Sequence, residues 1–176
     1  VNIGVVRAYG HRHGAGPFIT EELGENPFLE VHNGTNPWQG NFRTGWFDLP
    51  AIKYAIAVNP GLDFLALTCV DRVQEAGKLR ICTSYEYLGN TPEKLSAHFC
   101  WDRFGENRIR ITGIKIPTSP QEERTRLLFQ CIPLEYEETR ETSSFQIAAF
   151  MQEKLGIPIG IVSAGPNADQ KIDLRE

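Results

Sequence analysis

Two short apolar runs, each set behind a helix-like segment and ahead of a polar turn, constrain this chain most. Phe64-Leu65-Ala66-Leu67-Thr68 follows a segment in which Ile52, Ala55 and Ile56 share one helical face. Asp48 is its N-cap, Pro50 lies in its first turn and Asn59-Pro60-Gly61 stops it. Ile157 to Val162 follows a second such segment, opened by Ser143 and Gln146 in capping-box spacing and closed after Leu155 by Gly156. A run apolar on both faces has no side to give to water, so each is expected to be a strand in a helix-covered sheet. Ile3 to Tyr9 also reads as a strand, and Leu79 to Tyr87 and Arg108 to Ile116 alternate in strand fashion. Gly10 to Pro17 reads as a loop, Glu22 to Asn41 as loop-rich, and Gln121 to Thr142 as acid-rich surface. The expected fold class is mixed α and β, in one domain over residues 1–176.

Charge narrows the partners. Lys and Arg number 18 against 22 Asp and Glu, a net charge of −4, which offers no electrostatic footprint for nucleic acid or an anionic membrane. No run of about 18 apolar residues exists, so no membrane-spanning helix is expected. Cys69, Cys82, Cys100 and Cys131 lack C-x-x-C spacing and are read as reduced thiols of a cytoplasmic protein. His11 and His13 are too sparse for a metal site, and none is assigned. The chain opens at Val1 and enters an apolar run at once, and is read as a fragment.

Ligands of open α/β sheets bind beyond the carboxyl ends of the strands. Two loops have that position here, Thr68 to Asp71 and Ser163-Ala164-Gly165-Pro166, and they would form one pocket if their strands are neighbours. Asp71 has the chemistry for guanine: its carboxylate accepts from N1–H and the exocyclic amine together, which adenine cannot supply. Ser163 and Gly165 would offer backbone groups to the base. A third candidate is Gly10-His11-Arg12-His13-Gly14-Ala15-Gly16-Pro17, a glycine-rich stretch with one guanidinium. It is not a Walker A loop, since no Gly-Lys-Ser or Gly-Lys-Thr occurs anywhere. The fourth is Arg43, placed shortly before the first helix, where an anion would meet both guanidinium and helix terminus. Trp38 and Phe42 beside it are either anchors or covers for a ligand.

Order and spacing join these pieces. Gly4-Val5-Val6-Arg7-Ala8-Tyr9, Arg12, Gly14-Ala15-Gly16-Pro17-Phe18 and Thr20-Glu21 resemble a contiguous block of the adenylosuccinate synthetases. Arg43-Thr44-Gly45-Trp46-Phe47-Asp48 resembles the block ahead of a long helix in that family, and Leu67-Thr68-Cys69-Val70-Asp71 is similar to its Thr-Lys-Leu-Asp guanine motif. Gly156-Ile157-Pro158-Ile159, Ile161 to Pro166 and Leu174-Arg175 resemble its C-terminal segment. The stretch from about Asn90 to Thr142 matches poorly, and no role is assigned to it.

The resemblance implies the C-terminal α+β portion of a P-loop-NTPase-like ligase. GTP would phosphorylate the 6-oxygen of IMP, and the amine of L-aspartate would displace that phosphate, with Mg²⁺ present and a homodimer as the full-length form. Thr68, Asp71, Ser163, Gly165 and Pro166 match the guanine site, His13 and Gly14 fall at the IMP contact, and Gly40, Asn41 and Arg43 fall in the aspartate loop. The phosphate loop and general base lie N-terminal to this region in the family. No catalytic residue is therefore assigned here, and the chain alone is expected to be inactive. Two departures stand out. Cys69 takes the place of a lysine that packs on guanine, and Asn36 to Arg43 replaces an arginine-rich loop. A relative acting on another purine nucleotide, such as the phage type that joins aspartate to deoxyguanylate, and a noncatalytic nucleotide-binding module remain open.

Overall fold

The computed structural model describes residues 1–24, 27–28, 33–116 and 121–175. The chain runs through β1 (Ile3–Arg7), β2 (Gly10–His13), β3 (Phe42–Gly45) and β4 (Phe47–Asp48) into α1 (Leu49–Ala57). β5 (Phe64–Thr68), α2 (Val70–Glu75), β6 (Leu79–Tyr87), β7 (Phe99–Phe104) and β8 (Arg108–Ile114) follow. Then come α3 (Gln121–Leu128), β9 (Cys131–Thr139), α4 (Ser144–Leu155), β10 (Ile159–Ser163) and β11 (Lys171–Asp173).

The first sheet has the order β1-β5-β10-β11, with β1, β5 and β10 mutually parallel and β11 antiparallel. Its apolar strands are buried as the runs predict: Leu67 and Val162 are fully covered. α4 presents Ile147, Ala148, Met151 and Leu155, a stripe at helical spacing, to this core, and α2 adds Val70 and Val73. The boundary signals act as read. Asp48 accepts from the Ala51 amide at 3.1 Å, Ser143 from Gln146 at 3.3 Å, and Gly156 ends α4 in the left-handed region at φ 71°.

The second sheet is built on β6. β9 pairs with the whole length of β6 on one edge, while β4 and β8 share the other. β7 extends the sheet beyond β8. Tyr85, Leu95, Phe99, Ile111 and Leu127 form a second buried cluster, and Tyr136 packs against both cores.

Two expectations need correction. Gly10–His13 is a strand, not a loop, because it pairs antiparallel with Phe42–Gly45. Gln121 to Thr142 is surface only in part: it forms α3 and β9, the latter an edge strand that buries Cys131 and turns glutamates outward. Of the segment Glu22 to Asn41, residues 25–26 and 29–32 lie outside the described residues.

Candidate functional site

Because β1, β5 and β10 run parallel, their carboxyl ends gather on one edge. Arg7 lies opposite Thr68, and Val162 opposite Leu67, so Ser163 emerges beside Thr68. The hydroxyl of Thr68 donates to the Val6 carbonyl at 3.2 Å, and the Thr68 carbonyl accepts from the Ala8 amide at 2.9 Å. Thr68 thus ties the edge together. Cys69 then takes a left-handed conformation at φ 58°, which turns the chain into α2. Asp71 falls in the first turn of α2 with its carboxylate 3.7 Å from the Arg72 guanidinium. It makes no hydrogen bond among the described residues, so its acceptor capacity is unspent.

The facing turn is firmly held. Ser163, buried, donates to the Gly165 carbonyl at 3.1 Å, and Lys171 Nζ donates to the Gly165 and Asn167 carbonyls at 2.6 and 2.7 Å. Gln170 closes it by accepting from the Ala164 and Asn167 amides. A Cβ at Gly165 would meet the Gln170 side chain at 2.4 Å, and Pro166 is exposed at the tip. Thr68, Asp71 and the Ser163 to Pro166 turn are therefore brought to one edge.

His13, Gly14, Gly40, Asn41 and Arg43 form a second group, on the β2–β3 ribbon that leaves the same edge after Arg7. The amide of Gly14 donates to the Asn41 carbonyl at 3.0 Å. Gly14 has φ 66°, and a Cβ there would strike the Gln39 carbonyl at 2.6 Å. Asn36 and Gly40 close a tight turn, with the Asn36 side chain accepting from the amides of Trp38 and Gln39. Phe42 packs on the rings of His11 and His13, while Trp38 is 94% exposed. One ring is an anchor and the other is not.

Arg43 is fully engaged. Its Nε and Nη2 donate to the two Glu21 carboxylate oxygens at 2.9 and 2.6 Å, and Nη1 donates to the carbonyls of Gly14 and Gly16 at 2.8 and 3.1 Å. In the structure Arg43 is occupied by Glu21 and two carbonyls, and the start of the first helix is capped by the Asp48 carboxylate. Asp48 also accepts from the Tyr85 hydroxyl of the second sheet. Burial holds its carboxyl above the usual range, against the hydrogen bonds from Tyr85 and Ala51. Burial likewise raises Tyr85, and pushes the thiols of Cys82 and Cys131 up to about 12, which leaves both unreactive.

Two adjoining cavities open around these elements. One, about 310 Å³, lies against β1 and α1 and is bordered by Arg7, Tyr9, His11, Arg12 and Asp48. The other, about 590 Å³, is bordered by Arg12, Gly16, Asp48, Tyr54, Tyr85 and Arg124. Sequence reasoning gave no role to Glu21, Tyr85 or Arg124. Glu21 lay within a matched block, but Arg124 sits in an acid-rich stretch that carries no local signal. Among the described residues no three His, Cys, Asp or Glu side chains converge to hold a metal, and no helix is long and apolar enough to cross a membrane.

Comparison with known proteins adds a family. A family model described as adenylosuccinate synthetase matches residues 1–172. The adenylosuccinate synthetase of Fusobacterium nucleatum is 32% identical over 99% of this chain, which covers 39% of that relative. That of Prochlorococcus marinus is 35% identical over 97% of this chain and 36% of the relative. The chain thus spans under two-fifths of the length of these relatives. Among solved structures, a fully ligated adenylosuccinate synthetase from Plasmodium falciparum aligns with a TM-score of 0.67 at 19% identity, covering 98% of this chain and 39% of that one. That likeness is one of fold.

Proposed function

The chain belongs to the adenylosuccinate synthetase family, and we propose that it is part of a ligase joining L-aspartate to IMP at the expense of GTP. The observation that carries the reading is the shared edge where Asp71, with unspent acceptors, and the Ser163 to Pro166 turn leave adjacent parallel strands. A guanine ring seated there would give its N1–H and exocyclic N–H to the two Asp71 oxygens. The rigid Ser163 turn would supply the opposing wall. Cys69, where the family places lysine, would leave one face of that ring uncovered. The His13–Gly14 turn and the Gly40 to Arg43 segment, already in mutual contact, would border IMP and the amino acid.

In the reaction, GTP phosphorylates the purine 6-oxygen and the aspartate amine then displaces phosphate. The chain contributes recognition and orientation to both steps. It contains no Gly-Lys-Ser or Gly-Lys-Thr loop, and is expected to release no phosphate alone. Mg²⁺, implied by the family, finds no fitting ligand set among the described residues. A cytoplasmic homodimer is the form proposed for the complete enzyme.

One observation favours a relative with another substrate. The only guanidinium of the divergent segment Asn36 to Arg43 is taken by Glu21 and two carbonyls, and is not available to aspartate carboxylates. Equilibrium dialysis of this chain with GDP and ADP tests the guanine reading. Retention of GDP over ADP by tenfold or more is expected, and equal retention would remove its basis.

A further inference from the structure

We propose that the larger cavity, walled by α1, α3, the end of β8 and the Ala15–Pro17 turn, is a binding site for a small oxyanion, a carboxylate or phosphate group, with Arg124 as its principal anchor. Arg124 is only 7% exposed, and its Nη1 is buried with no hydrogen-bond partner. The contact made by its guanidinium is with the Tyr54 ring, 4.7 Å away. A guanidinium nitrogen buried without an acceptor is a costly arrangement, which stacking of the group on one ring offsets only in part. It is the arrangement expected of a site whose anion arrives from solution.

The neighbouring carboxylates do not supply the missing charge. On α3, Glu122 leans toward Arg126 at 3.9 Å, while Glu123 holds Lys94 at 3.2 Å and His98 at 3.1 Å. Asp48, also on the cavity wall, is spent on Tyr85 and the Ala51 amide. A second guanidinium borders the same space. Arg12 donates Nε and Nη2 to the Ala15 carbonyl at 3.1 and 2.9 Å and has no carboxylate partner among the described residues. Two positive groups and one engaged carboxylate give the cavity a positive balance. Ile19, Ile114 and Leu128 supply an apolar wall, so the ligand is a compact organic anion or the ion itself. The fork of a guanidinium suits two oxygens of one carboxylate or phosphate.

This assignment does not depend on the guanine edge, and either can fail alone. The test is calorimetric titration of this chain, at low ionic strength, with inorganic phosphate and separately with succinate. Saturable binding of at least one is expected, with a matching rise in melting temperature. A site for phosphate groups favours the first probe and a site for carboxylates the second, and competition between them shows that they share it. Arg124→Gln should weaken binding at least tenfold. Arg124→Lys, which keeps the charge but loses the fork, should weaken it less, and Arg12→Gln, at an exposed position, should weaken it without affecting folding. Absence of saturable binding by either probe to the unaltered chain would overturn the proposal. So would equal affinity in a folded Arg124→Gln or, should that variant not fold, equal affinities in Arg124→Lys and Arg12→Gln.

Discussion

The two sheets solve different problems. In the first, three parallel strands, of which β5 and β10 are covered on both faces and β1 is an edge strand, bring distant segments to a single edge, so that Arg7, Thr68 and Ser163 become neighbours although they lie far apart in the chain. In the second, antiparallel strands face solvent with charged ladders: Arg108 on Glu86 at 2.7 Å, and Arg110 on Asp102 at 3.2 Å and Glu135 at 3.3 Å. Exposed pairs of this kind contribute little to stability. The first sheet therefore positions backbone turns by topology. The second acts through individual side chains sent to α1, Tyr85 from β6 to its capping residue Asp48 and Arg124 from α3 to Tyr54.

The boundary between the two cores is the most sensitive place to perturb. Asp48 ends β4 of the second sheet, caps α1, whose Leu49 belongs to the first core, and accepts from Tyr85 of the second core. Asp48→Ala removes a cap and strands a buried hydroxyl, a loss of about 3 kcal/mol measured by urea denaturation. If the two cores are coupled, both should melt in one transition; two separated transitions would show that they are independent. Asp48→Asn keeps an acceptor and isolates the charge. Burial raises the folded-state value of Asp48, so the folded chain binds its proton more tightly than the unfolded chain does. This component of stability is greatest at acid pH and declines as pH rises from the ordinary carboxylate range through the raised value. Asp48→Asn should flatten that decline.

Within the β2–β3 ribbon, Arg43→Ala deprives Glu21 of both charge-assisted bonds and frees two carbonyls. A loss of about 2 kcal/mol is expected; an unchanged denaturation midpoint would mean that the pair does not hold the ribbon. Smallest is Gly156→Ala. The position has φ 71° and no neighbour within 4 Å of an added Cβ, so backbone strain alone costs about 1 kcal/mol, confined to the end of α4.

The same contrast explains what was legible beforehand. β5 and β10 were visible because burial on both faces leaves no polar position, and α1 and α4 because Asp48, Ser143 and Gly156 make local contacts. Residues at the ends of those strands could be placed once the strands were neighbours. β9 was hidden because an edge strand with outward glutamates has the composition of a loop. β2 was hidden because its pairing partner lies some thirty residues on. Arg43 looked free because nothing local marks Glu21 as its partner, and Arg124 looked like surface because its burial depends on α3 docking beside Tyr54.

The central claim is that Asp71 reads a guanine at the carboxyl edge of the first sheet. Calorimetric titration of GDP into this chain and into Asp71→Asn tests it directly. The substitution keeps one acceptor but loses the charge, and a weakening of about 1.5–3 kcal/mol, on the order of tenfold to a hundredfold, is expected, with ADP binding unaffected. Equal GDP affinity in the two proteins, both folded by circular dichroism, would contradict it.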